Sequence, residues 1–420
     1  MVEVEDTSIA DVPVWYAADS AVPVVHVILT FEEAGTVSDP DSLGGRATMA
    51  AQLLSEGAGT MDALAFHKAL EAKAIKFSAS AQRDDLVVEI HALKEELPEA
   101  ARLLTLALTE PRFDTPAMDA AKREQLVGLK ALRESPGAIA QLAWNEAMYG
   151  THPYARNGLG DERSIEALTV SDLRSYRTRY ITRANLQIAV AGDVRESALE
   201  DALEPLIDAL PEAFFPERDM PGVVLDGKGA VTRIVHDVPQ SVVVFGGAGL
   251  SRKDKKYYAA YLMNNALGGG AMSSRLMKAV RVKKGLAYGI STGLGSGDGA
   301  DSFVGQFATR NDSVDEAIAT VKEAMAELAA RGLSARECTE VKREVVQGFM
   351  LNLDSTDSIA QVIAMMMRHD LGKDYLEKRA ERFENVRCKD ITAAAQELLV
   401  PEKWLFVVVG GNQASAEVPK

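Results

Sequence analysis

Positive charge, cysteine, histidine and long apolar runs are all scarce in this chain, and each scarcity narrows what it can be. Forty-six Lys and Arg stand against 61 Asp and Glu, a formal charge of -15 over 420 residues. A surface of that sign repels phosphate backbones and anionic headgroups, which argues against nucleic acid as a partner. No apolar run approaches the ~20 residues needed to cross a bilayer, so no membrane span is expected. The opening MVEVEDTSIADVPVWY lacks a basic region followed by an apolar one, so the numbered sequence does not start with a secretory leader. The two cysteines, Cys338 and Cys388, sit in charged, helix-like surroundings without C-x-x-C spacing, and they neither demand nor exclude a disulfide. The histidines, His26, His67, His91, His152, His236 and His369, are dispersed, and none has a second His three or four residues away. His67 lies four residues before Glu71, the spacing of a helical surface pair, while His26 and His91 fall in strand-like runs as packed or edge residues.

What the chain does have is an ordinary globular composition, 47% hydrophobic and 25% charged, and an internal echo. Lys122-Arg-Glu-Gln-Leu-Val-Gly128 recurs as Lys342-Arg-Glu-Val-Val-Gln-Gly348, and Ile139-Ala-Gln141 as Ile359-Ala-Gln361, both at an offset of 220. Val22-Pro23 matches Val238-Pro239, and Leu186 to Gly192 matches Trp404 to Gly410, at nearly the same offset. One Lys-Arg-Glu match is common on helix surfaces, but ordered matches at near-constant spacing indicate duplication. The Pro-rich, acidic segment Leu210–Pro221 continues neither helix nor central strand. The expected division is therefore a first domain at 1–208, a linker at 209–221 and a homologous second domain at 222–420.

Within each copy, β-branched runs such as Val22–Phe31 and Val242–Phe245 read as strands. Alternating runs at Asp85–Ile90 and Ser302–Phe307 read the same way. Helical periodicity follows at Asp62–Ala74 and at Ser313–Ala330, where Val314, Ile318, Val321, Met325 and Leu328 recur every three to four residues. Strands grouped with helices, without regular βαβ alternation, give an α+β fold of two duplicated domains, each a mainly antiparallel sheet covered by helices on one face.

The segment richest in chemistry is Gly268 to Tyr288, GGGAMSSRLMKAVRVKKGLAY. Ser273 and Ser274 open a helix over Met272–Lys284, Gly285 offers its stop, and Lys283 and Lys284 suit its negative end. Arg281 then lies in the last turn and Tyr288 on the strand that leaves it. A permanent multi-donor cation beside a phenol can grip a carbonyl and stabilise an oxyanion, although on spacing alone a surface cation next to a structural Tyr is the plainer reading. Gly268, Gly269 and Gly270 follow a helix-like segment and lack G-x-x-x-x-G-K-[ST], which sets nucleotide binding aside.

The run Leu267–Tyr288 resembles the second-domain signature of the pitrilysin-type zinc peptidases, an inverzincin family that includes insulysin and the mitochondrial processing peptidase. His152-Pro-Tyr-Ala-Arg156 with Leu159-Gly160, and Asn185–Asp193, resemble first-domain segments of the same family. The resemblance implies that Arg281 and Tyr288 are the family's Arg/Tyr pair and that Gly268–Gly270 form a substrate-binding loop. It also implies an H-x-x-E-H motif in the first domain, with two zinc-binding His, a Glu base and a distal Glu ligand. Here Thr48 and Gln52 stand where the histidines belong, Ala51 where the base belongs, and Gly128 at the distal Glu. Ala51 cannot activate water. The expected chain therefore has no metal or other cofactor of its own. In heteromeric members of the family one subunit holds zinc and the other supplies the Arg/Tyr pair, so a homologous partner with intact H-x-x-E-H would carry the zinc and peptides would be the substrates. The alternatives are a catalytically silent core-like scaffold or a peptide-binding subunit. Resemblance to exported bacterial subunits, whose leaders are removed on export, makes the periplasm the expected compartment and the cytoplasm the alternative.

Overall fold

A computed structural model describes residues 2–216, 220–270, 272–351 and 353–411. The chain forms two compact α+β units. The first sheet has six strands in the order Glu5–Ile9, Val12–Ala18, Leu186–Gly192, Val24–Phe31, Leu86–Leu93 and Lys76–Ala81. The second has five, Val231–Ile234, Leu405–Val409, Gln240–Ala248, Ser302–Arg310 and Ala287–Gly295. Apart from the extra hairpin strand Glu5–Ile9, the two orders correspond strand for strand. In both, the pair formed by the second-listed and third-listed elements of the longer sheet, and by the first and second of the shorter, is parallel, and the remaining pairs are antiparallel.

Strict alternation sorts the side chains of each sheet into two faces. In Val24–Phe31, Val25, Val27, Leu29 and Phe31 enter the main core of the first unit, together with Leu86, Val88 and Ile90 of the neighbouring strand. Helices Leu97–Thr109 and Arg46–Leu53 bury their apolar stripes against that face. In the second unit Val243, Phe245, Phe303, Phe307 and Phe406 take the corresponding role beneath Val314–Arg331. Helix starts follow local chemistry: Asp62 caps Ala63–Ala72 by accepting from the Ala65 amide at 2.8 Å.

The units are not contiguous halves of the chain. Residues 131–156 belong to the second unit, and residues 350–377 to the first. Each exchanged segment carries one helix, Pro136–Tyr149 and Thr356–Arg368, opened by Ser135 and Ser355 at the duplication offset of 220. Both serines accept from the amide three residues on, Ala138 and Ser358. The exchange is thus itself duplicated, and it covers the sheet face that one-sided helix packing would leave bare: Ile359, Ala360, Ile363 and Met367 pack on Ala17, Ile28, Ala189 and Ala191 of the first sheet. The boundary drawn at 208 and 222 misses this because the tie is tertiary. Part of the expected linker, residues 217–219, lies outside the described residues.

The repeated Lys-Arg-Glu segments form matching contacts. Lys122 Nζ donates to the Glu166 carbonyl and Lys342 Nζ to the Glu384 carbonyl, each at 2.8 Å. In the second unit a disulfide joins Cys338 of helix Ala335–Met350 to Cys388 of helix Cys388–Leu398, with Cα atoms 5.9 Å apart. Among the described residues no helix is long and apolar enough to cross a membrane.

Candidate functional site

In the first unit, helix Arg46–Leu53 carries Thr48, Ala51 and Gln52, the residues at which the sequence resemblance expects the zinc motif. Its entry is set by Gly45, whose φ of +87° and whose approach to the Leu159 carbonyl, 2.2 Å from where a Cβ would stand, leave room for glycine alone. Thr48 and Gln52, one turn apart, share a face and are already satisfied by protein groups. The Thr48 hydroxyl donates to the Gly158 carbonyl at 2.7 Å, and Gln52 Nε2 donates to Glu124 at 2.5 Å. Ala51 is buried in the core. Gly128 sits in helix Thr115–Glu134, where an added Cβ would meet Leu159 Cδ1 at 3.2 Å. Ala51 and Gly128 offer no ligand atom, the Thr48 hydroxyl is engaged by the Gly158 carbonyl, and the Gln52 amide nitrogen is engaged by Glu124.

The same helix is anchored by a buried ion pair. Arg46 Nε donates to Asp39 Oδ1 at 3.1 Å, and Asp39 also accepts from the Ala47 amide. The Arg46 guanidinium lies over the rings of Tyr176 and Tyr180, 5.5 and 5.7 Å from their centroids. Burial, reinforced by the Asp39 charge, pushes the Tyr176 phenol well above its ordinary range, so it stays protonated and donates to the Ala34 carbonyl.

In the second unit the Arg281–Tyr288 segment has the helix-to-strand geometry read from its sequence. The helix begins at Arg275, after a turn at Met272–Ser274, and its stretch Met277–Lys283 is wound as a π-helix. Such wider turns recur at functional sites because they displace side chains from regular helical positions. Gly285 ends the helix at φ +60°; its amide donates to the Arg281 carbonyl, and the Leu286 amide to that of Val280. The strand that follows, Ala287–Gly295, is an edge strand, and its register slips between Ala287 and Ile290. That bulge re-aims Tyr288, which is 87% exposed. The Arg281 guanidinium carbon lies 4.7 Å from the centre of the Tyr288 ring, and its Nη1 donates to Met272 Sδ at 3.2 Å.

Gly268 and Gly269 do not form a free loop, as the resemblance implied, but close the helical stretch Asn265–Gly269. Side chains there would collide with Thr292 and Asn264, and Gly270 leaves the stretch extended. All three glycines line a groove of about 690 Å³ along the edge strand, with Met272, Ile290 and Thr292.

Two sequence-level placements change. The His152–Arg156 segment, matched to a first domain, belongs to the second unit, where Tyr154 accepts from the Asp298 amide at 2.8 Å. His67 pairs with Glu56 at 3.7 Å rather than with Glu71. One arrangement went unseen in the sequence: antiparallel register sets His26 directly opposite His91, with the rings stacked at 3.7 Å. Their 65-residue separation hides this pairing from any local spacing rule.

Two family models match one after the other: Insulinase (Peptidase family M16) over residues 14–162 and Peptidase M16 inactive domain over residues 167–345. The chain belongs to the M16 peptidase family. Among M16-related proteins it is 28% identical to the "Non-peptidase homolog YmxG" of Helicobacter pylori, over 80% of this chain and 77% of that protein. It is 25% identical to an "Uncharacterized zinc protease" of Mycobacterium leprae, over 92% of this chain and 87% of that one. The crystal structure of a peptidase M16 inactive domain from Pseudomonas fluorescens superposes with a TM-score of 0.91, at 26% identity and 98% coverage of both chains. A protease from Helicobacter pylori shares the fold, with a TM-score of 0.86 at 17% identity and coverage of 97% of this chain and 100% of that one. Both M16 family models, the insulinase model and the inactive-domain model, are matched within the one chain.

Proposed function

We propose that this chain is the non-zinc subunit of a heteromeric M16 metallopeptidase and completes its partner's active site. The observation that carries the reading is the contrast between the two units. In the first, Thr48 and Gln52 bond to their own protein and Ala51 and Gly128 bring no ligand atom; in the second, Arg281 at a helix end lies over Tyr288 on an exposed, bulged strand edge. A homologous partner with intact H-x-x-E-H supplies zinc, its bound water and the Glu base. Tyr288 donates to the oxyanion of the tetrahedral intermediate and Arg281 orients the substrate carbonyl. Short or unfolded peptides enter extended and add to the edge strand Ala287–Gly295 beside the glycine-lined groove, where backbone is read more than side chain. The periplasm is the proposed compartment, supported by the Cys338–Cys388 disulfide, since such bonds persist in oxidising compartments.

A second reading, a catalytically silent scaffold, is favoured by the non-peptidase naming of the Helicobacter pylori relative. Reconstitution separates them. The isolated chain is expected to hydrolyse no peptide, and the mixture with the partner to hydrolyse peptides in a chelator-sensitive manner. A stable complex whose hydrolysis does not exceed the partner's own would establish the scaffold instead.

A further inference from the structure

The face of the first sheet opposite its main core carries polar groups that the peptidase reading leaves idle. His26 alternates with Val25 and Val27, so it points away from the core that holds helix Arg46–Leu53 and toward helix Thr356–Arg368. Glu89 and His91 alternate with Val88 and Ile90 on the adjoining strand and reach the same face. His26 is fully buried, and its two ring nitrogens meet only carboxylates at long range, Glu89 at 3.4 Å and Asp357 at 3.6 Å. A buried imidazole left in that state is costly unless another partner is meant for it.

The nearest atoms are all metal-ligand types. His26 Nε2 lies 3.4 Å from Glu89 Oε2, and His26 Nδ1 lies 3.6 Å from Asp357 Oδ1. His91 Nδ1 lies 3.1 Å from the same Asp357 oxygen. One donor atom from each of His26, Glu89 and His91 falls within 4.8 Å of the others. Donors ~2.0–2.2 Å from a tetrahedral zinc stand roughly 3.3–3.6 Å apart, so closing on one ion requires the stacked His26 and His91 rings to turn until one nitrogen of each faces the carboxylates. Asp357, in the first turn of helix Thr356–Arg368, is exposed and lies beside both imidazoles.

We propose that His26, Glu89, His91 and Asp357 bind one divalent transition ion of the zinc type, a site separate from the family's catalytic zinc and on the other face of the sheet. Two imidazoles with carboxylates favour zinc, cobalt or nickel over calcium or magnesium, which prefer all-oxygen cages. The strands of the second sheet contain no His, so this site is a feature of one copy of the duplication. Its ion would pin the exchanged helix Thr356–Arg368 to the first sheet and stabilise that unit. The proposal does not depend on a peptidase partner.

The test is titration of the full-length, chelator-stripped chain with ZnCl2 by calorimetry, alongside CoCl2 followed by visible absorption. One equivalent of Zn2+ is expected at micromolar or tighter Kd, with a rise in the thermal midpoint and intense cobalt bands of a low-symmetry site. Glu89→Gln and Asp357→Asn are expected to weaken binding at least ~10-fold, the lower range for losing even an outer-shell partner of a metal site. His91→Gln should do the same; if it does not fold, the two carboxylate variants decide. The paired change Thr48→Ala with Gln52→Ala should leave the Zn2+ affinity unchanged. Absence of a stoichiometric site, or equal affinity in wild type, Glu89→Gln and Asp357→Asn, would overturn the proposal.

Discussion

Replacing Cys338 and Cys388 by Ser removes the covalent link between helices Ala335–Met350 and Cys388–Leu398, and the size of the effect follows from the 50-residue separation. The chain-entropy relation gives the closed loop about 14 cal/mol/K less freedom in the unfolded state, or about 4 kcal/mol at 25 °C. For a unit of this size, 1 kcal/mol moves the midpoint by roughly 2–4 °C, so the double variant should melt about 8–16 °C lower. Fluorescence reports the right region, because Trp144 and Trp404, two of the three tryptophans, are buried in the second unit. Reduction of the wild type should reproduce the shift without mutation. Superimposable melting curves for oxidised wild type and the Ser variant, or two reactive thiols in the unreduced native protein, would refute the reasoning and withdraw support for an oxidising compartment.

Other consequences are equally direct. Arg46→Ala strands the Asp39 carboxylate in the core beneath Tyr176 and Tyr180 and should cost about 3–5 kcal/mol in urea unfolding, as breaking a buried pair does. Tyr16 should titrate late: burial first, then its hydrogen bond to Glu5, push it to about 12, against 10.0 ordinarily. Because the folded-state value is the higher one, its stabilising share is complete below pH 10 and is lost as pH rises from 10 to about 12. Tyr16→Phe should delete one late phenol from the absorbance titration and flatten stability over that window.

Local chemistry made much of the fold readable. The repeat offset near 220 anticipated two sheets with matching strand order, Asp62 marked a helix start, and Gly285 marked a helix end whose φ of +60° suits glycine. Reciprocal exchange of Pro136–Tyr149 and Thr356–Arg368 was not readable, because an amphipathic helix records that it has an apolar face but not which sheet that face meets. The bulge that exposes Tyr288 was hidden for a related reason: it adds a residue to one strand relative to its neighbour and alters no local pattern. The His26–His91 pair and the Cys338–Cys388 link depend on register and on helix docking across 65 and 50 residues. The residue types at Thr48, Ala51, Gln52 and Gly128, by contrast, were readable directly, and the structure adds that Thr48 and Gln52 are bonded to Gly158 and Glu124.

The central claim, that this chain lends Arg281 and Tyr288 to zinc held by another subunit, is tested most directly by single-turnover peptide hydrolysis in the reconstituted complex with Tyr288→Phe. Loss of one oxyanion donor should slow the chemical step about 10²–10³-fold, or ~2.7–4 kcal/mol, while the complex still assembles and binds peptide. An unchanged rate in a fully assembled complex would contradict it.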